Sequence, residues 1–320
     1  MPSAIENWEG RIGRRLRLHD LHVLLTVVQC GSMAKAARRL YVSQPAVSKA
    51  ISGLEHTLRV RLLDRGPQGT EATLYGRALI RRGLVVFDEL RQAVAEMEFM
   101  AKPTVGEARI GCNDSLTAAL LPDVIERLSS QHPGLTLHVS AVNGPITQEI
   151  HHLRERTVDL IFGRGVFPIP EDDLDVEVLF EEPLVVVAGA GSRWARRRRK
   201  LQLADLVDAR WILYPEGEPP GLLVDQAFLA VGLAAPRPSA RTTSFHLRGA
   251  LLAKGEYLSV VPACMVRVYN ASQAVVKALP VDLGIQIRQV AVFTLKGRTL
   301  NPVAQIVIEC MRAVVKSRSP

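Results

Sequence analysis

Three stretches in the first sixty residues carry apolar side chains at helical spacing. Leu18, Leu21, Leu24, Leu25 and Val28 form the first stripe. Met33, Ala36, Ala37 and Leu40 fall at i, i+3, i+4 and i+7 and form the second. Ala46 or Val47 with Ala50, Ile51 and Leu54 form the third. Ser43 is placed to cap the third helix, and Pro45 sits just inside it, where a missing N–H costs nothing. Its other side holds Gln44, Ser48, Lys49 and Ser52, an exposed face of hydrogen-bonding groups and one cation. Leu58 to Thr73 then reads as two short strands about the turn cluster Gly66-Pro67-Gln68-Gly69, a wing.

From Leu74 to Ala101 there is no proline, and Leu79, Gly83, Val86, Leu90, Ala93, Met97 and Met100 step by alternating fours and threes. This is a heptad seam on a helix about 40 Å long, and a seam of that length calls for another chain. Lys102-Pro103 breaks it. The pattern then changes to strands alternating with helices: Glu107 to Cys112, helix Leu116 to Ser130, Leu135 to Val142, helix Thr147 to Arg156, and Asp159 to Gly163. Such βαβαβ order predicts a mostly parallel sheet covered by helices. After an acidic loop at Glu171 to Asp175, a second run follows through Leu184 to Gly189, Trp211 to Tyr214, Gly221 to Val231 and Ser239 to Ala253, with another short strand at Leu258 to Pro262. A closing strand at Ile285 to Leu295 and a helix at Pro302 to Lys316 have no place in the second run and are free to complete the first.

At 320 residues the chain is long enough for two or three cores. Charge adds a sharper clue. Residues 1–85 hold 14 Lys/Arg against 6 Asp/Glu, whereas residues 86–320 hold 26 of each, so the whole excess of +8 sits beside the helical stripes. A clustered basic surface next to a helix pair is the electrostatic footprint of a nucleic-acid binder. Hydrophobic content of 48% and mean hydropathy of +0.11 indicate a globular chain. Its longest uncharged run, Leu21 to Ala34, is short of the roughly 18 residues of a spanning helix. The N-terminus lacks an apolar signal core and is expected to be a leader, residues 1–17, whose Arg11, Arg14, Arg15 and Arg17 lie within reach of phosphate. Cys30, Cys112, Cys264 and Cys310 stand singly without C-x-x-C spacing, which predicts free thiols in a reducing cytoplasm. His151-His152 lacks a surrounding ligand set, so no metal is expected, and Arg196 to Lys200 reads as a solvated connector.

The segment AARRLYVSQPAVSKAISGLE, followed by Leu62-Leu63-Asp64-Arg65 and Thr73-Leu74-Tyr75-Gly76, resembles the N-terminal domain of LysR-type transcriptional regulators. The resemblance is strongest from about 18 to 80 and extends over nearly the whole chain. It implies an α+β multidomain protein: a winged helix-turn-helix at 18–75, a linker and dimerisation helix at 76–101, and a two-lobed effector-binding domain at 105–320 like a periplasmic binding protein. The first lobe takes about 105–178 and 284–320, the second about 179–283. It also implies double-stranded DNA and a small-molecule effector as partners, a homodimer through the linker helix with dimers pairing into a homotetramer, and RNA polymerase as a further candidate partner. No other cofactor is expected.

On this reading Gln44, Pro45, Ser48 and Lys49 read or seat on DNA after the cap Ser43, Arg65 and Thr73 position its backbone, and Ser32 and Arg38 add phosphate contacts. In α/β lobes ligands gather at the carboxyl ends of strands. There Ser115 and Thr117 are first-choice contacts for a small anion such as a carboxylate, a sugar being the other expected class; Ser115 or Asp114 equally serves as a helix cap. A hydroxyl residue is common in the family where Ile146 stands, a departure for which Thr147 is the substitute. Phe162 and Arg164 reach the same edge, with Arg164 available to an acid, and Thr243 and Phe245 form the facing turn. Two alternatives to a regulator remain open, a solute-binding protein and an α/β-lobe enzyme. Neither is favoured: an export signal is missing, and so are a G-x-S-x-G elbow, a dinucleotide-binding glycine pattern and a P-loop.

Overall fold

The structure, a computed structural model, describes residues 15–66, 69–142, 144–165, 169–197, 201–285 and 288–318. The leader as far as Arg14, the turn residues Pro67 and Gln68, Asn143, and the basic residues Arg198, Arg199 and Lys200 lie outside the described residues. The chain separates into two compact units, Met1–Ala93 and Val94–Pro320.

In the first unit the three apolar stripes become α1 (Leu18–Cys30), α2 (Met33–Leu40) and α3 (Gln44–Leu58). Leu24, Val27, Ala36, Val47, Ile51 and Leu54 meet in one core, while Ala46 turns outward and Ala50 is half-buried. Strands β1 (Leu63–Gly66) and β2 (Gly69–Ala72) pair antiparallel as the wing. Two bonds pin the wing to the helices. Thr70 N donates to Gly31 O at 3.0 Å, in the turn between α1 and α2. One Glu55 carboxylate oxygen accepts from Leu62 N and Leu63 N at 2.8 and 3.3 Å, anchoring the strand entry to α3.

Helix α4 (Leu74–Ala101) runs unbroken for 28 residues. Thr73 starts it: its hydroxyl accepts from Gly76 N at 3.0 Å and donates to Arg61 O at 2.7 Å, an N-cap that is also tied to the wing. Of the expected seam, Gly83 is buried against Leu21 and Leu79 is half-buried, whereas Val86, Leu90, Ala93, Met97 and Met100 are exposed.

The second unit holds two five-stranded sheets. The first runs β4-β3-β5-β12-β6, from β3 (Gly106–Cys112), β4 (Leu135–Ala141), β5 (Leu160–Gly165), β6 (Leu174–Glu182) and β12 (Arg288–Leu295). Its first three strands are parallel, and β12 is antiparallel to β5 and β6. The second sheet runs β11-β7-β10-β8-β9, from β7 (Leu184–Gly189), β8 (Arg210–Leu213), β9 (Pro238–Arg241), β10 (Tyr257–Pro262) and β11 (Val276–Ala278). The chain crosses between the sheets at Pro183 and returns before Arg288, so the first lobe is closed by the end of the sequence: α12 (Pro302–Arg318) packs on its core.

Three details differ from the pattern read in the sequence. The helix expected at Leu116 to Ser130 is two helices, α5 (Asp114–Ala119) and α6 (Leu121–Gln131), divided where Pro122 enters the first turn of α6. Thr147 to Arg156 is likewise two single turns, α7 (Ile146–Glu149) and α8 (His151–Arg154). The acidic loop ends at Asp173, and Leu174 begins β6, an edge strand of the first sheet whose Glu177 pairs with Arg312 of α12 at 2.7 Å.

Candidate nucleic-acid interface and effector cleft

The exposed side of α3 begins at its cap. Ser43 adopts an extended backbone and its hydroxyl accepts from Ala46 N at 3.3 Å, so the helix opens capped, with Gln44 and Pro45 exposed at its start. One turn on, Lys49 is exposed and Ser48 half-buried, with Val47 and Ile51 holding the opposite side in the core. Arg38 and Arg39 are exposed in the last turn of α2, and Ser32 is the half-buried residue preceding that helix. Such a surface offers hydrogen-bonding side chains on a rigid helix start with cations beside it, the chemistry that major-groove reading requires. Arg65 lies on β1 opposite Thr70, and its side chain lies outside the described residues. Thr73 has its hydroxyl committed to the α4 cap, a structural duty that sequence reasoning did not assign to it.

Between the two lobes lies a cleft of about 80 Å³, bordered among others by Asn113, Ser115, Ile146, Arg164, Glu182, Tyr214, Thr243, Phe245 and Arg288. Ser115, Ile146, Arg164, Thr243 and Phe245 are thus brought together as expected from the strand ends. Thr117, Thr147 and Phe162 are not. Phe162 is fully buried in the first-lobe core, because alternation along β5 turns its neighbours Ile161 and Gly163 to the cleft instead. Thr117 donates its hydroxyl to Asn113 O at 3.2 Å, and Thr147 is exposed outside the cleft.

The first-lobe wall is already electrostatically satisfied. Arg164 donates through Nε to Glu182 Oε2 at 2.7 Å and also through Nη2 to the same oxygen. Its Nη1 reaches Ser115 Oγ at 2.5 Å and Asn113 Oδ1 at 3.0 Å. Ser115 in turn donates its one proton to Asn113 Oδ1 at 2.8 Å, leaving no hydroxyl donor for a ligand carboxylate. The other Glu182 oxygen accepts from Cys264 N at 3.0 Å, at the start of α11 (Cys264–Tyr269). Since α11 follows β10 of the second lobe, this buried ion pair ties the lobes together on one side of the cleft. Arg267 of α11 adds a bond to Ala119 O at 3.0 Å.

The opposite wall carries Tyr214 and Phe245, residues the sequence pattern only half revealed. Arg248, fully buried on α10 (Phe245–Ala253), lies 3.9 Å from the Tyr214 ring centroid and donates to Val260 O and Thr242 O at 2.8 and 2.6 Å. Burial raises the Tyr214 phenol pKa, the guanidinium groups of Arg248, Arg164 and Arg288 opposing that rise. All four cysteines are free thiols; Cys112 and Cys310 are buried and Cys30 and Cys264 half-buried. Burial pushes the Cys112 thiol up to about 12, which makes it a packing group rather than a nucleophile. Among the described residues no cluster of His, Cys, Asp or Glu is disposed to hold a metal, and no helix is long and apolar enough to cross a membrane.

A winged helix-turn-helix with an open polar helix face, followed in the same chain by a two-lobed α/β clamp around a cleft, defines a ligand-responsive DNA-binding regulator. Residues 18–77 match the bacterial regulatory helix-turn-helix protein, lysR family, and residues 101–316 match the LysR substrate binding domain. The chain belongs to the LysR family of transcriptional regulators. It is 28% identical over 299 residues to the HTH-type transcriptional regulator GbpR of Azospirillum brasilense, covering 93% of this chain and 86% of that protein. To GalR of Pseudomonas putida it is 28% identical over 322 residues, covering 100% and 79%. Among solved structures, full-length OxyR from Pseudomonas aeruginosa aligns with a TM-score of 0.67 at 22% identity, covering 95% and 99% of the two chains. CbnR in complex with its target DNA aligns with a TM-score of 0.63 at 22% identity, covering 93% and 100%. The protein is therefore a DNA-binding transcriptional regulator with an effector-binding domain, and not an enzyme.

Proposed function

We propose that Gln44, Pro45, Ser48 and Lys49 enter the major groove from the N-terminal half of α3, with Ser43 shaping the helix start and Ser32, Arg38, Arg65 and Thr73 at the flanking backbone. The observation that carries this reading is the exposure of Gln44 and Lys49 on a helix whose other side is fixed in the core. The exposed seam of α4 supports a homodimer, since Leu90, Met97 and Met100 leave an apolar stripe in water that a second copy of the helix would cover. Two recognition helices then meet a two-fold DNA site. Pairing of dimers into a tetramer, contact with RNA polymerase and a cytoplasmic location complete the proposal.

Control comes from the cleft. A small molecule held between the lobes shifts the protein only if it binds one arrangement of the lobes better than another. The Arg164–Glu182 pair supports a fixed hinge side about which the open side adjusts.

Two substitutions test the DNA face by distinct signatures. Gln44→Ala is expected to cost about 1 to 3 kcal/mol on a cognate duplex and little on a random one, because a base contact is lost. Lys49→Ala is expected to weaken both duplexes alike and to reduce the salt dependence by about one counterion, because a cation facing the DNA is lost. Fluorescence anisotropy across a salt series reads both. Wild-type behaviour of both variants on both duplexes contradicts the assignment.

A further inference from the structure

Arg288 begins β12 where the chain re-enters the first lobe, and it borders the cleft half-buried. Among the described residues no carboxylate pairs with it. Glu182, its cross-strand neighbour, is taken by Arg164 and Cys264 N. Glu149 is taken by Gly144 N at 2.7 Å and faces His152 at 3.5 Å. Glu218 precedes the first turn of α9 (Pro219–Ala230), where a helix start favours its charge. Burial and the like charge of Arg164 lower the pKa of Arg288, with Tyr214 opposing, so the guanidinium stands partly stripped of water beside another cation. Arg248 lies behind Tyr214, fully buried, with its Nε unbonded, and its partners are carbonyl oxygens, ring faces and the Tyr214 hydroxyl. Arg288 thus borders the cleft with no carboxylate paired to it among the described residues, while the first-choice anion contact at Ser115 is closed by Arg164.

Resting on the reading of this cleft as the effector site, we infer that the effector is a small organic acid whose carboxylate is held by Arg288 beside the Tyr214 hydroxyl. A planar guanidinium matches a carboxylate with two parallel bonds, and Tyr214, kept protonated by its burial, supplies a further donor. The apolar side chains of Ile146, Ile161, Phe245 and Pro262 border the remainder of the cleft and take the acid's carbon skeleton.

The test is titration calorimetry on the full chain with acetate, lactate and malonate, each matched to its neutral amide. At least one carboxylate is expected to bind wild type more tightly than its amide. Arg288→Gln is expected to weaken that carboxylate about 10- to 100-fold, the worth of one charge-assisted contact, while leaving the amide unchanged. Arg288→Lys restores part of the loss. The unliganded Arg288→Gln protein is expected to melt no lower than wild type, since the substitution removes repulsion with Arg164. Equal binding of carboxylates and amides, undiminished carboxylate binding by Arg288→Gln, or no carboxylate binding to wild type overturns the inference. Thr243→Trp, which fills the cleft from its exposed rim, separates the two levels. If it blocks amides and carboxylates alike, the cleft is the effector site whatever the charge preference; if carboxylates bind it as they bind wild type, the cleft reading itself is wrong.

Discussion

Gly76→Ala is expected to destabilise the DNA-binding unit by about 3 kcal/mol, the upper end of the usual cost of overpacking. An added Cβ at residue 76 would stand 2.1 Å from Leu62 O and 3.3 Å from Ala72 Cβ. The first of these atoms is backbone, and it is held in place because Leu62 O also accepts from Thr73 N at 3.0 Å. The chain has no flexible side chain to move aside there. Either α4 tilts away from the wing or the Thr73 cap breaks, and both loosen the entry to the long helix. Chemical denaturation followed by tryptophan-independent far-ultraviolet circular dichroism reads the loss, and DNA binding falls with it. A variant as stable as wild type would show that the close approach of Gly76 to the wing is not required.

Asp159→Ala is expected to cost about 3 to 5 kcal/mol in the effector domain, because it leaves a buried guanidinium without its counter-charge. The Arg298 side chain is 0% exposed and donates to Asp159 Oδ1 at 2.8 Å and to Val158 O at 2.7 Å. The second carboxylate oxygen accepts from Arg109 N at 2.8 Å, so one side chain joins β3, the start of β5 and the turn after β12. Loss of that junction is large against a typical domain stability of about 5 to 15 kcal/mol. Replacing both partners, Asp159→Leu with Arg298→Met, is expected to recover most of the loss, since a well-packed apolar pair avoids the desolvation that the ion pair carries. Urea unfolding of the single and double variants decides it. A double variant no better than Asp159→Ala would show that the bonds to the Arg109 and Val158 backbones, rather than the uncompensated charge, are what matter.

Much of the first unit was legible because its first three helices are short and carry regular apolar stripes, and α3 is capped by local chemistry. The stripe through Ala36, Ala37 and Leu40, the Ser43 cap and the Pro45 start all act within a few residues of one another, which is the range over which sequence pattern carries a physical meaning. The same holds for α4, whose heptad steps persist through residues left exposed in the structure. Strand β6 was hidden for the opposite reason. Asp175 and Glu181 are exposed at a sheet edge, and Glu177 is paired by Arg312, 135 residues away in the chain, so the run reads as a solvated loop until its partner is known.

The effector cleft shows the same division. Strand ends led to Ser115, Ile146, Arg164, Thr243 and Phe245, which border one cleft, because carboxyl ends of strands converge in any α/β lobe. Phe162 lies in the first-lobe core while its neighbours Ile161 and Gly163 border the cleft, and Arg164 reaches the cleft from the strand's end. Arg288 and Tyr214 gave no local signal. Arg288 borders the cleft only because β12 returns to the first sheet after more than a hundred residues, and Tyr214 because β8 ends against the same opening. Nor did the sequence show that Arg164 would satisfy Ser115, which moves the open cationic end of the cleft away from the helix start at which an anion was expected.

Selection of bound sequences from a randomised DNA duplex pool tests the central claim most directly, that the polar face of α3 reads DNA in the major groove. Wild type is expected to enrich a two-fold-symmetric motif, with half-sites separated by whole helical turns of about 10 base pairs. A variant with Gln44, Ser48 and Lys49 all replaced by alanine is expected to retain salt-dependent binding and lose the motif. Recovery of the same motif by that variant would contradict the account.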